Sequence, residues 1–394
     1  MSHVALNVIL GHTFRSNPEY ELAPFDRLPL DQQELFNDLT NDPDFFGLLL
    51  PRIPGTRTIK SICQDTAFLW RALERPGALP SDVQNSSDYE TNQSIAQLVM
   101  DGILEISQGD IFLSGAEAYR VLYPASSAAE PLGLLPRLSR DALEYGQALD
   151  VDDPSSLSMR LYFYNRIPLT SEWARRLPSE NEVADFLGIS DSGQLKHTLK
   201  RWSVREDDSP YKAWFHWYSR RVRPSSAVQR PGYKLYVSPH PDALPVAMRA
   251  VIENLDDREA YGFKVARNAA EMLRPDKLVL YFWDFDGLQR AAGKIALALS
   301  GCAIQGVPFT AALGDDGLLS WGIDPALEKG ALAWQGPESW RLWVTNRLAA
   351  ALVSARNNCP ARLQPWQFAL ERLRLDDIDV DTWSPAPGFG FPAA

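Results

Sequence analysis

Cationic side chains stand on and beside short apolar stretches in the second half of this 394-residue chain. Lys234 lies inside YKLYV, with His240 just after it. Lys264 lies inside GFKV, Arg274 and Lys277 open RPDKLVLYF, and Arg341 begins WRLWVTNRLAAAL. A lysine within an apolar strand is costly to bury charged. Either its stem runs along apolar surface and carries the ammonium to water, or the amine works with a lowered pKa. One such residue reads as a side chain reaching outward. Several on one sheet would each need a counter-ion, and a shared anionic ligand is the simpler account. Convergent Lys and Arg suit a phosphorylated group. Asn165, Arg166, Trp173 and Arg175 form a second unusual cluster, whose arginines would ordinarily cover a strand end or pair with a carboxylate.

The chain has no GxxxxGK[ST], no GxGxxG after a strand, no GxSxG and no HExxH. Its five histidines show no metal-ligand spacing. DFDG at 284–287 fits neither a kinase metal motif, whose flanking motifs are missing, nor a calcium loop, since Ile295 stands where the final carboxylate belongs. Phosphoryl transfer or hydrolysis would call for a carboxylate-held metal, and none is expected. An elimination needs a phosphate clamp, a base for the α-proton, stabilisation of enolate-like charge and an acid for the leaving oxygen. Lys and His can supply base and acid, and Arg the clamp. No cofactor is expected.

At 44.1 kDa the chain exceeds a usual single domain, and with 45% hydrophobic and 23% charged residues it reads as globular. A net charge of -11 and a pI near 5.1 argue against nucleic acid as a partner, so any basic cluster is local. No apolar run is long enough to cross a bilayer and the start lacks a cationic signal region, so no membrane partner and a cytoplasmic location are expected. Cys63, Cys302 and Cys359 are far apart and odd in number, which fits a reduced compartment.

The small, polar, Pro-flanked segments 124–131 and 222–232 read as linkers. Within 1–123, FFGLLLPR and TIKSIC read as strands, QDTAFLWRALERPG and TNQSIAQLVM as helices, and GDIFLSG as a hairpin strand. That order describes a winged-helix-like module. In 132–221, LYFY and KAWFHWYSRRV read as strands, ENEVADFLGIS and GQLKHTLKRW as helices. In 222–375, YKLYVSPH, GFKV and KLVLYF are strands around the helix DALPVAMRAVIENL. DGLQRAAGKIALALSG follows as a helix capped by Asp286, then GVPFTAAL, then a helix after Ser339. The fold class is α+β, with a mixed sheet. The Arg267 side chain between GFKV and RPDK is expected to be solvated, and 376–394 to be an extended tail.

The N-terminal order, with LVMDGILEI closing its last helix, resembles the PqqD-like precursor-recognition domains of ribosomal peptide-modifying enzymes over about residues 40–116. The blocks YKLYVSP, GFKV, RPDKLVLYF, GVPFTAALGDDGLLSWGIDP and SWRLWVTNRLAAAL resemble the type III effector domain of the Hop A class. That domain recurs as the phosphoserine/phosphothreonine lyase of class V lanthipeptide and thioamitide biosynthesis. In SWRLWVTN, Trp340 and Trp343 depart from the smaller residues of the family block. The resemblance implies removal of phosphate from phosphorylated Ser or Thr of a leader-bearing precursor peptide. It also implies a separate kinase-like phosphotransferase, and a cyclase as a further partner. Lys264, Arg274 and Asp276 carry over best, Lys234 and Arg341 less directly. Residue chemistry then gives Lys264 or Lys234 as base, His240 as acid, and Arg274, Lys277 and Arg341 around the phosphate, with Asp276 orienting a cation. The alternative expectation is a non-catalytic leader-binding partner or cyclase component of the same complex; an effector-like protein with host partners and no chemistry is a third.

Overall fold

Alternating apolar residues dictate most of the strands, and helical spacing most of the helices, in a computed structural model that describes residues 11–86, 89–123, 130–205, 212–221, 232–326, 332, 335–356, 363–386 and 389. Both linker assignments fall largely outside the described residues. The fold is α+β, with several sheets. The chain divides into two compact units, one made of 1–129, 327–337 and 350–376, the other of 130–326, 338–349 and 377–394. Among the described residues no helix is long and apolar enough to cross a membrane.

The first unit contains two three-stranded antiparallel sheets. β1 (Phe14–Ser16) pairs with β5 (Leu104–Gln108), which turns back into β6 (Ile111–Leu113). The second sheet joins β2 (Tyr20–Pro24), β3 (Phe45–Pro51) and β4 (Lys60–Cys63) in that order. Helices Gln64–Ala72 and Tyr89–Met100 bury Leu69, Trp70, Ile95 and Val99. The helix Pro365–Arg374 is tied to the unit by Arg372, whose Nε and Nη2 donate to Asp101 at 2.8 and 3.0 Å.

The second unit is built on a seven-stranded sheet in which every pairing is antiparallel, where the sequence reading expected a mixed sheet. Its strands are β7 (Trp202–Arg205), β8 (Trp214–Ser219), β9 (Tyr233–Val237), β10 (Ala260–Ala266), β11 (Leu278–Phe282), β12 (Ala311–Leu313) and β13 (Leu319–Ile323), in the order β12-β13-β9-β11-β10-β8-β7. The helix Leu244–Asn254 lies between β9 and β10 in the chain, and β9 pairs with β11, which runs back after the β10–β11 hairpin.

Alternation along each strand sorts side chains to two faces. Phe263, Val265, Leu278, Leu280, Leu235 and Val237 face one way, fully buried with the helices Glu180–Leu187, Leu244–Asn254 and Phe285–Ala298. Each such apolar side chain contributes roughly 1.5–3 kcal/mol of burial. The helix Phe285–Ala298 turns Leu288, Ala291, Ala292 and Ile295 inward at helical spacing. Its N-cap is Asp284, which accepts Gly287 N at 2.7 Å, and not Asp286. DFDG is thus a capping sequence.

The other face carries Lys264, His216, Val279, Tyr236, Tyr281 and Lys234. At its β13 end Trp340 lies over Gly322, where a Cβ would come within 2.4 Å of the indole. That packing accounts for a large residue at this point of the SWRLWVTN block. The expected strand LYFY is not formed. Asp153 caps a helix, Pro154–Tyr162, with Pro at its first turn, and Leu157 and Leu161 are buried on one side of it. The tail packs: Trp383 is buried edge-on to Phe309, and Phe389 contacts Trp340.

Candidate active site

Strand register assembles the cationic residues. On antiparallel strands directly opposed residues share a face with Cβ atoms about 5 Å apart. One row crosses the sheet as His216, Lys264, Val279, Tyr236 and Ser320. The row beside it runs Tyr218, Gly262, Tyr281, Lys234 and Gly322. Gly262 sits at an irregularity of β10, and a Cβ there would meet Trp217 O at 2.7 Å, so only glycine lets β8 approach this closely.

Lys264 is half-buried at the floor of this face. Its Nζ stands 4.1 Å from the centre of the Trp214 ring, and no carboxylate pairs with it among the described residues. Burial first, then the like charge of Lys234, brings its pKa down to about 8, against the opposing pull of Asp276. Lys234 differs, because its Nζ lies 2.7 Å from Asp324 Oδ2. Asp324 is fixed in turn by Trp340 N, which donates to Oδ1 at 2.8 Å.

Arg274 lies over the same indole, with Cζ 4.9 Å from the Trp214 ring centre. It donates from Nε to Asp276 Oδ1 at 2.9 Å and from Nη2 to Oδ2 at 3.0 Å, a bidentate pairing, and from Nη1 to Glu271 at 2.7 Å. The Tyr162 hydroxyl donates to Asp276 Oδ2 at 3.2 Å. Arg341 Nη1 stands 2.9 Å from the same oxygen as an ion pair, without hydrogen-bond alignment, while Nη2 donates to Tyr162 O at 2.6 Å. Burial alone would raise the Asp276 carboxyl. Arg274 and Arg341 reverse that and hold it far below the carboxylate range.

These contacts place each expected site residue. Lys264, Lys234, Arg274, Asp276 and Arg341 are joined through one sheet face and its edge. Arg274 is only 7% exposed and Arg341 1%; the first is turned toward Asp276 and Glu271, the second toward Asp276 and the carbonyls of Pro308 and Tyr162. Lys277 is fully buried in a separate network, donating to Pro239 O at 2.8 Å and to Gln305 Oε1 at 2.6 Å. Burial lowers its pKa to about 7, with Asp276 opposing. His240 stands beyond the end of β9, its side chain 44% exposed and its Nδ1 3.4 Å from Asp242. No described contact joins it to Lys264. Arg267 is not simply solvated: it pairs with Glu180 and lies 5.3 Å from the Phe215 ring centre.

Three residues of the site were not singled out in sequence: His216, Trp214 and Tyr162. The signal for the first two was present in WFHWYS, whose alternation puts Trp214, His216 and Tyr218 on one face. Only register sets His216 opposite Lys264, and register is not written locally. The arrangement offers an amine of lowered pKa beside an imidazole, with Lys234 and Arg274 nearby and each paired with a carboxylate, and so is suited to proton abstraction.

No family model and no curated protein sequence matches the chain. Among solved structures, an effector protein from Pseudomonas syringae pv. tomato strain DC3000 aligns at 14% identity and a TM-score of 0.41, over 64% of this chain and 97% of that one. One from Pseudomonas syringae pv. syringae strain 61 aligns at 12% and 0.38, over 64% and 98%. The phosphothreonine lyase effector VirA of Chromobacterium violaceum aligns at 13% and 0.26, over 41% and 78%.

Proposed function

We propose that this chain is a lyase that removes phosphate from phosphorylated Ser or Thr of a ribosomally made precursor peptide, leaving dehydroalanine or dehydrobutyrine. The observation that supports this most directly is Lys264: a strand lysine of lowered pKa, without a carboxylate partner among the described residues and opposed across the ladder by His216. In its neutral form the Lys264 amine takes the α-proton. The Cα–H electron pair forms the Cα=Cβ bond, the Cβ–O bond breaks with its electrons on phosphate, and His216 protonates the departing oxygen. Lys234 and Arg274, held by Asp324 and by Asp276 and Glu271, are the cations that would face the phosphate and the developing enolate charge. In the same reading the N-terminal unit is a PqqD-like module that holds the leader, a separate kinase-like protein supplies the phosphate, a cyclase can follow, and the setting is cytoplasmic.

Incubation with a leader-fused phosphopeptide, followed by mass spectrometry for loss of phosphoric acid, tests the reading. The mechanism needs Lys264 neutral and His216 protonated, so a bell-shaped dependence of turnover on pH is expected, with one limb set by Lys264 and lost in Lys264→Ala. Lys264→Ala is expected to lower kcat/KM by roughly 10²- to 10⁴-fold. Tight leader binding without any elimination would instead assign the chain a non-catalytic place in the same assembly, as a leader-binding or cyclase component.

A further inference from the structure

A cavity of about 590 Å³ lies among the helices Leu134–Ala148 and Pro154–Tyr162 and the turn that follows the second. Its size falls within the roughly 300–1,000 Å³ of small-ligand sites. None of its lining residues is a carboxylate. In a chain of net charge -11 it is lined by two guanidinium groups, Arg160 and Arg166, and three hydroxyls, those of Ser156, Tyr145 and Tyr164. The apolar wall includes Phe163.

The two arginines are held differently. Arg166 is fixed, with Nη2 donating to Ala270 O at 2.7 Å, Glu271 at 3.4 Å and its Cζ 5.4 Å from the Phe163 ring centre. The turn carrying it is also fixed, since Asn165 adopts a left-handed conformation (φ 66°) and its amide donates to Gln305 O and Gly306 O. Arg160 is exposed and has no carboxylate partner among the described residues. Tyr145 and Tyr164 stand with ring centres 5.5 Å apart. Burial, followed by the charge of Asp141, raises the Tyr164 phenol, which stays a hydroxyl donor at neutral pH. Phe163 also touches the candidate active site, because Arg274 Cζ lies 5.1 Å from its ring centre.

No carboxylate lines the cavity, and one guanidinium preset against Glu271, one free to close and three hydroxyls define a site for a carboxylate. We infer that this cavity is a subsite for an acidic side chain, Asp or Glu, of the peptide substrate, close in sequence to the phosphorylated residue. The inference rests on the lyase reading for the phosphorylated residue itself.

Its test reads binding apart from turnover. Two peptides carry a phosphonate analogue of phosphoserine, in which CH₂ replaces the ester oxygen so that elimination is blocked. One has Glu on both sides of that residue and the other has Gln. Fluorescence anisotropy with the full chain is expected to show the Glu peptide binding about tenfold more tightly, the scale of one charge-assisted contact, and Arg160→Gln is expected to erase the difference. Arg160 is exposed, so the variant keeps its fold. Equal affinity of the two peptides for the wild-type chain, or full preference retained in Arg160→Gln, overturns the inference. Preference for Glu without elimination of a true phosphopeptide would sink the lyase reading and leave the subsite standing. Elimination with no preference would do the reverse.

Discussion

Asp276 takes two hydrogen bonds from Arg274 and faces Arg341, so two cations that read in sequence as phosphate clamps converge on one carboxylate inside the molecule. Spacing could suggest that Asp276 orients a cation; it could not show that it orients two. Lys264 carried over better than Lys234 as the base, and Asp324 beside Lys234 favours the same choice. For the acid, residue chemistry gave His240, whereas His216 is the ladder partner of Lys264. His216→Asn is therefore expected to cost roughly 10²-fold or more in kcat, while His240→Asn stays near wild type. Parallel rate measurements on the two variants decide between them, and a large loss confined to the His240 variant would return the acid role to it.

Elements were legible where one periodicity dominated. GFKV and YKLYV place a lysine between apolar residues and form β10 and β9, while KLVLYF, a short unbroken apolar run buried on both faces, forms β11. LYFY misled because a run of large residues has no period of its own, and the Asp153-Pro154 start upstream committed the segment to a helix. Strand order was the least legible level, since nothing in β9 announces that its neighbours will be β11 and β13. The contact of Trp340 with Gly322 ties the start of the helix Trp340–Arg356 to β13. Gly322→Ala would press a methyl group into that indole, and overpacking of this kind costs about 1–3 kcal/mol. Urea denaturation of the variant should show the loss, and an unshifted midpoint would mean that Trp340 is not held there.

At the scale of the whole molecule, a net charge of -11 led to the expectation that any basic cluster would be local; Lys264, Lys234 and Arg274 gather at one sheet face, the last two paired with carboxylates. Burial on that face has a pH signature. Lys264 and Lys277 have folded-state pKa values of about 8 and about 7, below the ordinary lysine value of about 10.4. Between these values and the ordinary one the unfolded chain binds more protons, so stability rises as pH rises across that window. Urea midpoints taken from pH 7 to about 10 are expected to climb. Lys277→Met should flatten the climb; an identical slope in the variant would exclude Lys277 as its source.

The order of the seven strands also bears on when the chemistry comes into being. Three pairings join strands adjacent in sequence, β7–β8, β10–β11 and β12–β13, and can close early as hairpins. The contacts that bring His216 to Lys264, and Lys234 into the neighbouring row, belong to β8–β10 and β9–β11, which must wait for longer loops to close. A partly folded chain can therefore hold every hairpin and still lack the candidate site.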